Sequence, residues 1–223
     1  MARFDAVVFD LDDTLCTQTQ SGSEIYYGAF REAGIDSFGT PADLWGALVG
    51  SPDPVDDVGY LAAGFTTVAA QYGQTPIDAE ALADGFLSVV DHSAVTFLPD
   101  AKHVLKTVNE SFSIGLLTNG PCRRQAQKIA ALNIESTFEA IVYAGDLPRQ
   151  KPNREPFDRV LDTLGSTPSR TMYVGNSLRH DVAGAQGVGM TAVWYTPTGA
   201  DPAPYEPEYI IESLAELLSV VSR

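Results

Sequence analysis

Lysine is scarce in this chain: 4 of its 223 residues, against 10 Arg, 18 Asp and 11 Glu. The formal net charge is −15. Binding nucleic acid through a broad face needs clustered Lys and Arg, so no nucleic-acid partner is expected. The acids are spread along the chain rather than gathered in a tail. An Asp-rich, Lys-poor surface repels itself at low salt and suits a salt-rich cytoplasm that screens the repulsion. Cysteine is rarer still, with Cys16 and Cys122 alone. Two thiols cannot make a four-thiolate zinc site, and nothing marks a disulfide framework. No apolar run approaches the roughly 20 residues of a membrane span, so no membrane partner is expected. No Lys follows a Gly, which excludes a P-loop. His92, His103 and His180 are scattered at no triad spacing. The opening "MARFDAVVFD" lacks the long apolar stretch and cleavage site of a signal peptide, and reads as the first strand of a cytoplasmic protein.

What is present is apolar patterning. Apolar residues make up 44% of the chain, enough for a substantial core. The length suits one α/β domain or a core with a modest insertion. Residues 3–10 read as a short buried strand. Residues 17–95 read differently: "EIYYGAFREAG", "PADLWGALVG", "VGYLAAGFTTVAAQYG" and "DAEALADGFLSVVDH" carry apolar residues at helical spacing, and no strand is expected there. After a helix from Pro99, strands at 112–118, 138–144, 170–176 and 190–196 alternate with helices at 122–132, 154–164 and 179–189. Pro156 suits the first turn of its helix. A Pro-rich loop, an edge strand at 209–211 and a last helix follow. Alternation of this kind means a doubly wound, mainly parallel sheet. The expected architecture is an α/β core of residues 1–16 and 96–223, interrupted by an all-helical domain of residues 17–95.

Ligands in such sheets bind beyond the carboxyl ends of the strands. The first strand ends in Asp10-Leu11-Asp12. Positions i and i+2 of an extended segment share a side, so Asp10 and Asp12 can face one site while Asp13 points elsewhere. Close carboxylates repel unless something positive joins them. The second strand end is "LLTNGP". Thr118 supplies a hydroxyl, and Asn119-Gly120 opens a helix whose N–H groups form an anion site. The third carries Lys151, whose ammonium can bind phosphate and offset carboxylates. The fourth is "YVGNSLRHD", where Asn176 and Asp181 can offer oxygen to a hard cation. Each signal alone has a plainer reading: solvated loop acids, an ordinary turn, a surface lysine, a helix cap.

Taken in order, "DLDDTL", "LLTN", Lys151-Pro152 and "GNSLRHD" resemble the motifs of the haloacid dehalogenase (HAD) superfamily hydrolases, and the helical insertion resembles that family's cap. The resemblance covers essentially the whole chain. It implies a Rossmann-like core and a Mg2+-dependent phosphatase acting on a small phosphorylated metabolite. Asp10 would be the nucleophile that becomes aspartyl-phosphate, and Asp12 the general acid and base. Thr118, Asn119, Gly120 and Lys151 would hold the phosphoryl group. Asp10, Asp12, Asn176 and Asp181 would bind the metal, Asp12 through its backbone carbonyl. The chain departs from the family's commoner pattern at Asn176, where Asp is usual, which implies weaker Mg2+ binding.

Three rivals stand beside this reading. A 2-haloacid dehalogenase resembles the chain but lacks the second acid, since a halide needs no proton. A sugar phosphomutase would keep all four motifs. A metal-impaired binding or regulatory protein is favoured by Asn176 alone. Tyr26, Tyr27, Arg31 and Trp45 are guesses for substrate contacts, and the sequence does not give the oligomeric state. The charge bias makes a direct prediction: the thermal unfolding midpoint rises from no added salt to molar potassium chloride, and an unchanged midpoint contradicts the halophilic reading.

Overall fold

The computed structural model describes residues 4–48 and 56–222. The chain forms β1 (Ala6–Phe9) and β2 (Cys16–Gln18), then helices α1 (Gly22–Ala33), α2 (Pro41–Ala47), α3 (Asp57–Gln71) and α4 (Ala79–Val89). It continues through β3 (Val95–Phe97), α5 (Ala101–Asn109), β4 (Ser113–Thr118), α6 (Cys122–Leu132), β5 (Ala140–Tyr143) and α7 (Arg154–Leu164). β6 (Thr171–Gly175), α8 (Ala183–Val188), β7 (Thr191–Tyr195), β8 (Tyr209–Ile211) and α9 (Leu217–Val221) complete it. Residues 1–17 with 95–223 form one compact unit, and residues 18–94 form a second.

The first unit is built on a six-stranded sheet of order β5-β4-β1-β6-β7-β8, parallel at every pairing. The alternation of side chains divides its core in two. Val7 and Phe9 of β1, Met172 and Val174 of β6, and Val193 and Tyr195 of β7 pack with Val104 and Leu105 of α5, Ile129 of α6 and Leu217 of α9. Val8, Tyr173, Ala192 and Trp194 turn to the opposite face, against Phe157 and Val160 of α7 and Ala185 of α8. Both faces of every central strand are therefore covered, which is why these strands read as continuous apolar runs. β1 lies centrally. The chain winds from it to β4 and β5 on one side, and to β6, β7 and β8 on the other. The crevice at that reversal opens at the carboxyl ends of β1, β4 and β6.

The second unit is helical, and each of its described helices starts on a side-chain cap. Ser21 with Glu24 and Thr40 with Asp43 form capping boxes, and Asp56 and Asp78 accept from Gly59 N and Ala81 N. A cap of this kind is worth about 1 kcal/mol, enough to fix where short helices begin. Gly34, in left-handed conformation at φ 65°, ends α1. Ile25, Tyr26, Phe30, Leu61, Phe65, Leu82 and Phe86 form this unit's own core. The expected second helix ran on to Val49 and Gly50, which lie outside the described residues.

Two local features differ from the expectation. β2 and β3 pair as a two-stranded ribbon, so Thr17, Gln18 and Val95 are strand where none was expected. Three-residue strands are too short to show a period. The helix expected over 179–189 begins with a wide π turn at Leu178–Val182, capped by Ser177 accepting from His180 N. Such turns cluster at functional sites. Among the described residues no helix is long and apolar enough to cross a membrane.

Phe157 is fully buried and sits with its ring centroid 5.3 Å from that of Tyr173. Phe157→Ala is expected to cost about 3–5 kcal/mol, read as a lowered urea midpoint at unchanged slope. A loss below about 1 kcal/mol would contradict this packing.

Candidate active site

The ammonium of Lys151 organises the strand ends. Four oxygens surround its three N–H groups: Asp10 Oδ1 at 2.7 Å, Asp181 Oδ1 at 2.7 Å, Tyr173 Oη at 2.8 Å and the Leu117 carbonyl at 3.0 Å. The Lys151 side chain is 2% exposed, so every partner is needed to replace its hydration. Its backbone is pinned as firmly. Lys151 N donates to Asn119 Oδ1 at 2.8 Å, and Asn119 Nδ2 donates to the Lys151 carbonyl at 3.1 Å. The Asn119 carboxamide is thus engaged with the Lys151 backbone through both its oxygen and its nitrogen.

Burial pushes the Asp10 carboxyl up, to about 7, with Lys151 pulling it down and Asp181 adding to the rise. Burial alone would lower the Lys151 ammonium, but Asp10 and Asp181 together hold it above the ordinary lysine range. Burial also carries the Tyr173 hydroxyl well above its usual value, so it stays protonated. The geometry is that of an ammonium shared by two carboxylates.

Asp12 stands apart from this cluster, with its side chain 46% exposed. Its Oδ1 accepts from Lys128 Nζ at 2.6 Å and its Oδ2 from Gln125 Nε2 at 2.7 Å. Gln125 Nε2 also reaches Thr118 Oγ1 at 2.6 Å. On the far side, Ser177 N donates to Asp181 Oδ2 at 2.9 Å, and a Cβ at Gly175 would lie 2.4 Å from Asp181 Cγ. Only glycine lets the π turn bring Asp181 this close to β6.

Asp10, Asp12, Thr118, Asn119, Gly120, Lys151, Asn176 and Asp181 all line one cavity of about 160 Å³, together with Ser177 and His180. The eight residues singled out at the strand ends therefore converge. A larger cleft of about 470 Å³ lies beside β5, around Ile141 and Arg159, and holds none of them. Volume alone does not mark the site; converging polar groups do. Sequence reading missed Tyr173, Gln125 and Lys128. Lys128 had a signal, being one of four lysines and three residues after a Gln on the helix that leaves the Asn-Gly turn.

The donor set fits a hard divalent cation. Asp10 Oδ2 and Asn176 Oδ1 are turned to the same Thr14 hydroxyl, each at 3.3 Å. That is long for an O–H···O bond, and one proton cannot satisfy both oxygens. Among the described residues no three His, Cys, Asp or Glu side chains group as a metal site. The available ligands are two carboxylates, one carboxamide oxygen and backbone carbonyl, all oxygen, as Mg2+ prefers.

The chain belongs to the haloacid dehalogenase-like hydrolase family, whose model matches residues 4–189. N-acylneuraminate-9-phosphatase of Rattus norvegicus is 33% identical over 126 residues, 55% of this chain and 51% of that protein. The chain thus spans about half the length of the first curated relatives it matches. Glyceraldehyde 3-phosphate phosphatase of Methanopyrus kandleri is 28% identical over 232 residues, 97% of this chain and 96% of the relative. Among solved structures, the HAD-hydrolase YfnB of Bacillus subtilis, bound to magnesium, has a TM-score of 0.80 at 21% identity, covering 99% of this chain and 100% of its own. That likeness is one of fold.

Asn176 brings an oxygen without a charge. Asn176→Asp is expected to tighten Mg2+ binding about tenfold in calorimetric titration, or about 1.4 kcal/mol. Equal or weaker binding would contradict the assignment of Asn176 to the metal.

Proposed function

We propose that the protein is a Mg2+-dependent phosphatase that hydrolyses a small organic phosphate monoester through an aspartyl-phosphate on Asp10. The observation that carries this reading is the convergence of Asp10, Asp12 and Lys151 on one cavity. A carboxylate of Asp10 attacks phosphorus, and the ester P–O bond breaks. Asp12 gives its proton to the leaving oxygen, so the alcohol departs neutral. Asp12, now a carboxylate, takes a proton from the water that attacks the same phosphorus; the P–O bond to Asp10 breaks, phosphate leaves, and Asp10 returns to its carboxylate and Asp12 to its acid form. Lys151 balances the charge of Asp10 and the phosphoryl oxygens throughout. Thr118 Oγ and the backbone N–H groups of Asn119 and Gly120 supply donors to those oxygens. Mg2+ held by Asp10, Asn176, Asp181 and the Asp12 carbonyl would screen the approach of an anionic nucleophile to an anionic ester.

Asp12 favours this chemistry over dehalogenation, where no leaving group needs a proton. The relatives' names support a sugar phosphate as the substrate class. The composition favours a cytoplasmic setting. A second reading, a metal-impaired binding protein, rests on Asn176 alone.

Phosphate release from p-nitrophenyl phosphate, with and without Mg2+ in concentrated potassium chloride, tests the proposal beside Asp10→Asn. Mg2+-dependent release that falls on the order of a thousandfold in the variant is the expected result. Release that survives Asp10→Asn would overturn it.

A further inference from the structure

We propose that Gln125 and Lys128 are positioning residues that act from one face of α6, aiming the Asp12 carboxyl at the leaving group and the Thr118 hydroxyl at the phosphoryl group. The inference deepens the phosphatase reading above and rests on it. Residues three apart on a helix lie on one face, so both side chains can reach the same target. Here the target is Asp12, whose two oxygens are each taken by one of them, at 2.6 Å and 2.7 Å. An aspartate that is 46% exposed has several open rotamers unless such contacts select one. Proton transfer needs the acid within hydrogen-bond reach of the ester oxygen, and a misplacement of about 1 Å can cost about a hundredfold.

Gln125 does a second thing. Its side-chain nitrogen donates to Thr118 Oγ1 as well as to Asp12. Gly120 N also donates to Thr118 Oγ1, at 3.4 Å. With donors on its oxygen, the Thr118 hydroxyl has its own proton to give. Thr118 lines the cavity and is 1% exposed, so that proton is directed where a phosphoryl oxygen would sit. Gln125 is also 1% exposed and lies over the Asn-Gly turn: a Cβ at Gly120 would fall 2.4 Å from Gln125 Cδ. The glycine of the anion-binding turn and the glutamine of the following helix are thus matched in shape. Neither Gln125 nor Lys128 lines the cavity, so both act through Asp12 and Thr118 rather than by touching substrate.

The step at stake is transfer of the Asp12 proton to the ester oxygen as the P–O bond breaks. Its importance depends on the leaving group. A dinitrophenolate leaves without help, whereas phenolate needs the proton. The test is kcat/KM, which reports the steps up to loss of the alcohol, across aryl phosphates from 2,4-dinitrophenyl to phenyl phosphate. Lys128→Met is expected to lose about tenfold or more on phenyl phosphate and no more than about twofold on the dinitrophenyl ester. Lys128→Arg should recover most of the loss by restoring a donor to Asp12 Oδ1. Gln125→Met, similar in size, should show the same bias together with weaker inhibition by inorganic phosphate. An equal fall across the series, or no fall, would overturn the positioning role while leaving the phosphatase reading intact. No phosphate release from any ester by the wild-type chain would overturn both.

Discussion

A buried ammonium with two carboxylates is the constraint on which the site depends. Lys151 ties the end of β1 through Asp10, the end of β4 through the Leu117 carbonyl, β6 through Tyr173, and the π turn through Asp181. Removing such a charge leaves its partners buried and unpaired, a loss of several kcal/mol where it has been studied. The three strands at the centre of the sheet therefore end in a fixed arrangement before any ligand arrives. With both acids ionised the cluster carries one excess negative charge. That excess is what a cation would neutralise, and Asn176 in place of a carboxylate keeps it from growing.

Much of the fold was legible because fully buried parallel strands leave unbroken apolar runs. β1, β4, β6 and β7 are of this kind, and the turns between them carry Gly, Pro and Asn. The ribbon of β2 and β3 was not legible, since Cys16–Gln18 and Val95–Phe97 hold three residues each and find their partner only in space. The π turn left no trace either. It follows from how closely Asp181 approaches Gly175, a tertiary distance.

The site was legible as a set of residues but not as a set of roles. Asp10 and Lys151 face each other, as opposite charges beyond the carboxyl ends of parallel strands suggest. Asn119 looked like part of an anion site, yet its carboxamide buckles the Lys151 backbone in place. The partners of Asp12 lie more than 110 residues away, at Gln125 and Lys128, beyond the reach of any local pattern. In the helical unit, the spacing of Tyr26 marked an apolar face without saying what lay against it. The ring is 1% exposed and packs edge-on against Phe30, so it belongs to that unit's core. Trp45 is 52% exposed, and Arg31 is exposed as well. Periodicity finds a helix; it does not tell a core ring from a surface one.

The central claim is that Asp10, held by Lys151, becomes covalently phosphorylated. The direct measurement is to quench the enzyme in acid during turnover of an aryl phosphate, reduce it with borohydride and map the peptide spanning residues 4–31. An acyl phosphate is reduced to the alcohol, so homoserine at position 10 is the predicted result. Steady turnover with Asp10 recovered unmodified in every quenched sample would contradict it.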